Sequence, residues 1–462
     1  LSEVQDITSP MSSREKRATL SLASIYGLRM FGLFLIMPVL SLFAEQLSDS
    51  TPALIGWTIG IYGLTQSLFQ IPFGLLTDRV GRKKIIVIGL TLFAIGSVVA
   101  ALSQSIYGVL LGRAIQGSGA VAGPTMALLA DLTQEVHRTK AMALIGASIG
   151  LSFGLAMVSG PVIASFTGVN GLFWLIAALS VAAIFIIIFV VPQPGRAKRH
   201  YEAEVMTSQF SFVLKNTALL RLDYGIFVLH LILSASFVVV PLLLRDAGLP
   251  AISHWQVYLP VFAVSMLIMV PFVILAEKKR KMKSVFVGAI AILALANLGL
   301  LFKHDQLWAI AALLGLFFCG FNLLEATLPS LVSKTAPGDL RGTAMGVYST
   351  TQFLGAGLGG ALGGWCYGRY GVDGVFLLCA LMALSWALWA LSMTPPRYWS
   401  NLLISLADLS QEQADALASE MLKISGVEEI TPHFEDAVAY LKVDNQILDK
   451  PALQAMLARY GQ

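Results

Sequence analysis

Pro72-Phe73-Gly74-Leu75-Leu76-Thr77-Asp78 closes one long apolar run, and a matching stretch, Pro271-Phe272-Val273-Ile274-Leu275-Ala276-Glu277, closes another. Each copy ends on a carboxylate and leads into basic residues, Arg82 and Lys84 in the first and Lys281 and Lys283 in the second. Further along, Arg138-Thr139-Lys140-Ala141-Met142 matches Arg341-Gly342-Thr343-Ala344-Met345, and Gly171-x-Phe173 matches Gly374-x-Phe376. The matches keep one order and nearly one spacing, so a single unit is present twice. Transporters with a site at the interface of internal repeats are built in this way.

Around these landmarks the chain is unusually apolar. Of 462 residues, 56% are hydrophobic and 13% charged, about half the charge of a soluble domain. The apolar excess falls in runs of about 20 residues, the length that crosses a ~30 Å hydrocarbon core as a helix. Twelve spans are predicted, near 18–43, 53–76, 85–103, 107–130, 141–164, 171–191, 219–244, 255–276, 285–302, 307–332, 342–366 and 373–394. The fold class is therefore all-α and polytopic, two six-helix halves over 18–191 and 219–394 joined by a linker over 192–218. Residues 1–10 are polar without pattern; Met11, followed by Arg14, Lys16 and Arg17, reads as the natural start, and 1–17 as an N-terminal arm. Cys319, Cys366 and Cys379 all lie in apolar runs and read as small buried hydrophobes, with no disulfide or metal-ligand spacing.

Basic residues fix the orientation. They crowd the arm, the loops after spans 2, 4, 8 and 10, and the linker, whereas the opposite loops hold only Arg245, Lys303 and Arg369. Both termini are expected in the cytoplasm. This topology also accounts for the pI of 8.9 without nucleic acid.

Beyond Pro395-Pro396 the composition changes. Residues 399–462 carry ten acidic residues against four basic ones, a net charge of −6. Strands are predicted over 402–406, 427–431 and 437–443. A first helix follows Ser410-x-x-Gln413, a capping box, with Ala414, Leu417, Ala418, Met421 and Leu422 on one face. A second opens at Asp449 and carries Leu453, Met456, Leu457 and Tyr460. The order βαββα points to a small α+β, ferredoxin-like cytoplasmic domain that lacks the usual last strand.

An ionisable group near the bilayer centre costs at least ~2.5 kcal/mol. Four sit well inside spans: Arg29 on span 1, Arg113 on span 4, His230 on span 7 and Glu325 on span 10. Spans 3, 6, 9 and 12 carry none, and Asn297 is their one strongly polar interior residue. Spans 1, 4, 7 and 10 are thus expected to line a central aqueous cavity. The four could instead pair with one another to hold helices together, and His230 could be a satisfied interior histidine. Glu325, His230, Arg113 and Arg29 are the proton-coupling candidates; Glu325, a lone carboxylate between helices, is the first to take up and release a coupled proton, and should it fail the role would move to Asp131 or Asp223.

The loop Gly74-Leu75-Leu76-Thr77-Asp78-Arg79-Val80-Gly81-Arg82-Lys83-Lys84 resembles the signature loop of the major facilitator superfamily and lies between spans 2 and 3, where that family places it. Arg113-x-x-Gln116-Gly117-x-Gly119 is similar to the family's second motif. Gly146, Gly150, Gly154 and Gly160-Pro161 on span 5 resemble the antiporter motif of its drug:proton exporters, although Ala164 and Ser165 replace the glycines that commonly close it. The resemblance implies that Gly74, Asp78, Arg79, Gly81, Arg82 and Asp131 form a conformational latch. In it Asp78 faces the start of span 11, and Arg79 and Arg82 pair with Asp131. By the repeat, Glu277 is its pseudo-symmetric counterpart, facing the start of span 5 near Thr139; Arg280 stands where Gly81 would be, so a looser turn is expected. The span-5 glycines permit close helix contact, through generic packing or through the motif.

The function expected is a proton-coupled transporter in a bacterial inner membrane that exports small amphipathic or drug-like molecules by alternating access. It would be driven by the proton gradient and hold no cofactor or metal. No nucleotide-binding loop of the Gly-x-x-x-x-Gly-Lys-Ser/Thr kind occurs, and no nucleophile, base or metal constellation supports an enzyme. The rival is a membrane sensor that signals through its acidic tail. The tail itself contains no cysteine and one histidine, His433, which excludes a Cys-x-x-Cys metal site. It is either a passive appendage or a regulatory module that docks on the chain's own basic cytoplasmic loops.

Overall fold

The computed structural model describes residues 10–193, 210–337, 340–394, 400–405, 411–433, 438–444 and 447–459. The side chains of Asp78, Thr139 and Arg341 and most of the predicted linker lie outside the described residues, as do Ser410 of the capping box and Tyr460. By internal contacts the chain divides into two compact units, one over Pro10–Thr394 and one holding the segment from Pro395 onward.

The larger unit is helical throughout: α1 (Ser13–Leu35), α2 (Leu40–Ala44), α3 (Pro52–Val80), α4 (Arg82–Leu102), α5 (Ile106–Ser118), α6 (Ala122–Leu132), α7 (Glu135–Phe185), α8 (Thr217–Asp246), α9 (Trp255–Lys278), α10 (Met282–Phe302), α11 (Leu307–Thr335) and α12 (Arg341–Leu391). Among the described residues, nine helices are long and apolar enough to cross a membrane. Side chains start several of them: Ser12 with Glu15 forms a capping box on α1, and Thr51, Ser105 and Asn216 cap α3, α5 and α8. Such caps satisfy amides that the helix itself leaves unpaired.

Two helices run for 51 residues each, about 76 Å at 1.5 Å per residue, far more than one crossing needs. Each is interrupted by one glycine, Gly168 in α7 and Gly371 in α12, both at φ 67°. These glycines stand at the spacing of the internal repeat and divide each helix where the sequence places a loop between spans. The predicted first span proves to be α1 and the short α2, with Pro38 between them, because proline cannot supply the amide a continuing helix needs. The predicted fourth span is likewise two helices, α5 and α6, parted at Gly119. Asn297 on α10 is fully buried, and its amide donates to its own helix at the Leu293 carbonyl.

In the smaller unit β1 (Ser400–Ser405), β2 (Val427–His433) and β3 (Val438–Val443) form a sheet of order β1-β3-β2, antiparallel throughout. Helices α13 (Gln411–Met421) and α14 (Lys450–Arg459) accompany it. Ile404, Leu417, Met421, Leu441, Val443 and Leu453 build its core. Leu422, expected on the apolar face, is instead 50% exposed because α13 has already ended at Met421. Asp449 caps α14 through the Ala452 amide rather than opening it.

Candidate functional site

The intramembrane ionisable residues separate into two clusters, one in each half. In the first half the break between α5 and α6 frees the Gly119 carbonyl, and Arg29 of α1 donates to it at 3.3 Å. The same Nη2 donates to Tyr62 Oη at 2.9 Å and to Gln66 Oε1 at 2.8 Å. Arg113 of α5 stacks over the Tyr62 ring at 4.9 Å and donates to Gln116 Oε1 at 3.0 Å, while Gln116 donates to Ser97. Arg29 and Arg113 are 2% and 5% exposed. Neither pairs with a carboxylate among the described residues, so the ion pairing that the sequence left open is not made here. Neutral oxygens and aromatic faces surround the two charges instead; Arg29 donates through Nη2 alone, and its Nε and Nη1 are buried without a partner among the described residues.

In the second half three helices meet at Gln352 of α12. Its Nε2 donates to His230 Nε2 of α8 at 2.9 Å and to Glu325 Oε1 of α11 at 3.3 Å. His230 Nδ1 faces the Ile226 carbonyl at 3.3 Å. A carbonyl only accepts, so Nδ1 carries the proton and Nε2 is left free to accept from Gln352. Glu325 and His230 are 3.9 Å apart, beyond direct hydrogen bonding. The Glu325 side chain is 36% exposed although it sits mid-helix, whereas that of His230 is 13% exposed. Burial of Asp223 on α8 and Tyr348 on α12 leaves Asp223 Oδ2 and the Tyr348 hydroxyl without partners among the described residues.

The signature loop turns at Gly81, with φ 103° and ψ 136°. Few residues other than glycine adopt such a backbone. The turn presents Arg82, whose Nε lies 2.8 Å from Asp131 at the end of α6. Arg79 is exposed and makes no ion pair with Asp131 among the described residues. Gly74 opens onto empty space. In the second half Lys334 and Ser330 of α11 hold the Glu277 carboxylate, so its partners among the described residues lie inside its own half. Arg280 makes the corresponding turn at φ 53°. The turn is kept, at the strain a side chain imposes there.

At the end away from these loops the halves are pressed together. Methyl groups built on Gly56, Gly60 and Gly63 of α3 would collide with the backbone of α12 at Gly360, Gly357 and Phe353. Arg245 at the end of α8 pairs with Glu45 after α2 at 2.6 Å. Phe153 of α7 packs between Phe34 of its own half and Phe262 of α9, at 4.7 and 5.1 Å. Toward the loop end, by contrast, Gly146, Gly150 and Gly154 of α7 and Gly342 and Gly346 of α12 have nothing within 4 Å of where a side chain would start. The close contact expected at Gly150 and Gly154 is not made: nothing lies within 4 Å of where a side chain would start. Gly160, beside Pro161, does make one, against the Leu35 carbonyl.

This duplicated helical body, with a buried polar cluster in each half, is that of a membrane transporter. Residues 22–360 match the Major Facilitator Superfamily, and the chain belongs to it; its members carry small molecules across membranes and are not enzymes. The chain is 47% identical to "Inner membrane transport protein YajR" of Escherichia coli (strain K12) over 95% of its own length and 97% of that protein's. It is 27% identical to "Tetracycline resistance protein, class B" of Escherichia coli over 38% of its own length and 44% of that protein's. Among solved structures it superposes with TM-score 0.68 at 15% identity on a bacterial homologue of the human lysosomal transporter Spinster, in an inward-facing and occupied conformation. That match covers 82% of this chain and 97% of the other. The chain is therefore a multi-pass membrane transporter.

Gln352 and Tyr62, which organise the two clusters, were not legible as site residues. Each is one of several uncharged polar residues on its span (Thr58, Thr65, Gln66 and Gln70 beside Tyr62; Ser349, Thr350 and Thr351 beside Gln352), and only the packing of the helices shows which of them meets a charged group.

Proposed function

We propose that the chain is a proton-coupled exporter of small amphipathic or drug-like molecules. It would span a bacterial inner membrane twelve times, six in each half, with both termini cytoplasmic. The observation that carries the proton role is Glu325, whose side chain stands mid-helix and partly exposed, with Gln352 donating to Oε1 and with Oε2 buried and unpartnered among the described residues. A carboxylate so placed exchanges a proton with the space it faces, and Gln352 links that event to His230 and α12. Alternating access is supported by the contrast between the two ends: glycine-to-backbone packing and the Glu45–Arg245 pair at one, open glycines at the other. The partial likeness to a tetracycline resistance protein favours drug-like cargo and outward transport.

The loop through Asp78, Gly81 and Arg82, with Asp131, acts in this reading as a latch that closes the cytoplasmic end. The sheet order β1-β3-β2, with β3 antiparallel to both neighbours, supports a ferredoxin-like C-terminal domain. Proteoliposomes loaded with a pH dye test the central claim: adding a transported compound should drive a proton flux opposite to the compound. Compound movement without any proton flux would refute the coupling.

A further inference from the structure

A groove of about 240 Å³ runs between α9, α10 and α11, outside both polar clusters. Its walls are apolar except at one end, where Lys281 and Ser284 stand. Gly288 gives it depth, because nothing lies within 4 Å of where a side chain would begin. Phe272, 43% exposed, forms one wall, and Cys319 lies on another. From Lys281, the residue just before α10, to Ile292 on it, the lining extends about 16 Å at 1.5 Å per residue. One leaflet of a ~30 Å hydrocarbon core has the same depth.

We propose that this groove binds one acyl chain of an anionic phospholipid, with its phosphate held at Lys281 and Ser284. The walls offer nothing to a polar ligand, and the surrounding solvent at this depth is hydrocarbon. Length selects a single chain lying along the helices within one leaflet. Charge selects the headgroup, since Lys278, Lys279, Arg280 and Lys283 surround Lys281 in sequence. Glu277, the nearest carboxylate in sequence, is held by Lys334. Such a lipid would brace the α9–α10 turn, where Arg280 holds its left-handed backbone.

Native mass spectrometry of the full chain, titrated with equal phosphatidylglycerol and phosphatidylcholine, tests this site. One retained phosphatidylglycerol is expected. Lys281→Ala should cut its preference over phosphatidylcholine about fivefold, the ratio set by one basic residue at a membrane surface. Gly288→Leu should reduce retention of both lipids. Unchanged retention in Gly288→Leu overturns the groove, and an equal loss of preference in Lys303→Ala, at the far end of α10, would mark diffuse charge attraction and overturn it too. The unmutated chain gives an independent readout through Cys319, because Cys366 and Cys379 are buried. Maleimide labelling of Cys319 should be slower in phosphatidylglycerol nanodiscs than in phosphatidylcholine ones, and equal rates refute the proposal.

Discussion

The ammonium of Lys334 lies 2.6 Å from a carboxylate oxygen of Glu277. By the internal repeat, Lys334 occupies the place that Asp131 holds in the first half, where Asp131 receives Arg82 at 2.8 Å. Both halves thus tie the loop between their second and third spans to the end of their fourth, with the charges exchanged. Duplication preserved the tie and not the residues that make it. Lys334 and Glu277 are partly exposed, 24% and 39%, so the pair stabilises the fold by only ~0.2–1 kcal/mol.

A charge exchange tests this relationship. Glu277→Lys should lower the midpoint of thermal unfolding by placing two ammonium groups together, and adding Lys334→Glu should restore most of the loss. A double variant no better than the single one would show that the contact contributes nothing. Because Glu277 is engaged within its own half, Glu277→Gln should reduce transport less than Asp78→Asn; an equal or greater loss overturns the ranking.

Gly81 and Arg280 make corresponding turns with different backbones. At φ 103° and ψ 136° Gly81 lies where a side chain costs ~1–3 kcal/mol, whereas φ 53° at Arg280 is left-handed helical space that other residues can enter. Gly81→Ala is expected to lower unfolding stability by about that amount and to disturb the Arg82–Asp131 contact. Chemical denaturation of the purified variant measures the first effect, and no change in stability would refute the assignment.

The spans were legible because apolar runs of the right length have few alternatives in a chain so poor in charge. Their interruptions were less so. Pro38 breaks span one inside a run of uninterrupted apolar residues, and at Gly119 the short dip through Gln116-Gly117-Ser118 does not by itself say that the helix parts. The partners of Arg29 were also hidden, since one is a carbonyl that becomes available only once the helix parts at Gly119. The contacts expected at Gly150 and Gly154 failed for a different reason. A glycine stripe announces that two helices can approach, and the conformation decides whether they do.

Glu325→Gln should abolish proton-driven transport while leaving compound binding within about twofold, because the amide keeps the shape and loses the exchangeable proton. Gln352→Leu separates coupling from protonation: it removes the hydrogen-bonded bridge between Glu325 and His230, so turnover should fall while Glu325 still titrates. Transport assays beside binding measured by fluorescence quenching make the comparison. Proton coupling that survives Glu325→Gln would move the role to another carboxylate, with Asp223 and Asp131 next.

The seam between α3 and α12 has no room for a side chain at Gly60, where the Gly357 carbonyl already lies against the α-carbon. Overpacking of this kind costs ~1–3 kcal/mol. It is imposed only on conformations closed at the Glu45–Arg245 end. Gly60→Leu should therefore shift the population toward states open there, lengthening the distance between spin labels at residues 46 and 247. Unchanged distances would mean that the seam does not report the conformational state.

The C-terminal unit has its own core, with Leu417, Met421, Leu441 and Val443 almost fully buried within it. Removing it should not unmake the helical body, and deletion of residues 399–462 should leave expression and membrane insertion intact. Its net charge of −6 and the basic residues of the span-8 loop, Lys278 through Lys283, would attract one another in an aqueous compartment with a Debye length of about 8 Å. A reversible docking on those loops would bias the rocking equilibrium, and salt would weaken it. The truncated protein should accordingly differ from the full chain in transport rate at low ionic strength, and the difference should shrink as salt is raised from about 0.1 M toward about 0.5 M. Identical rates across that range would exclude docking and assign the domain to a separate partner.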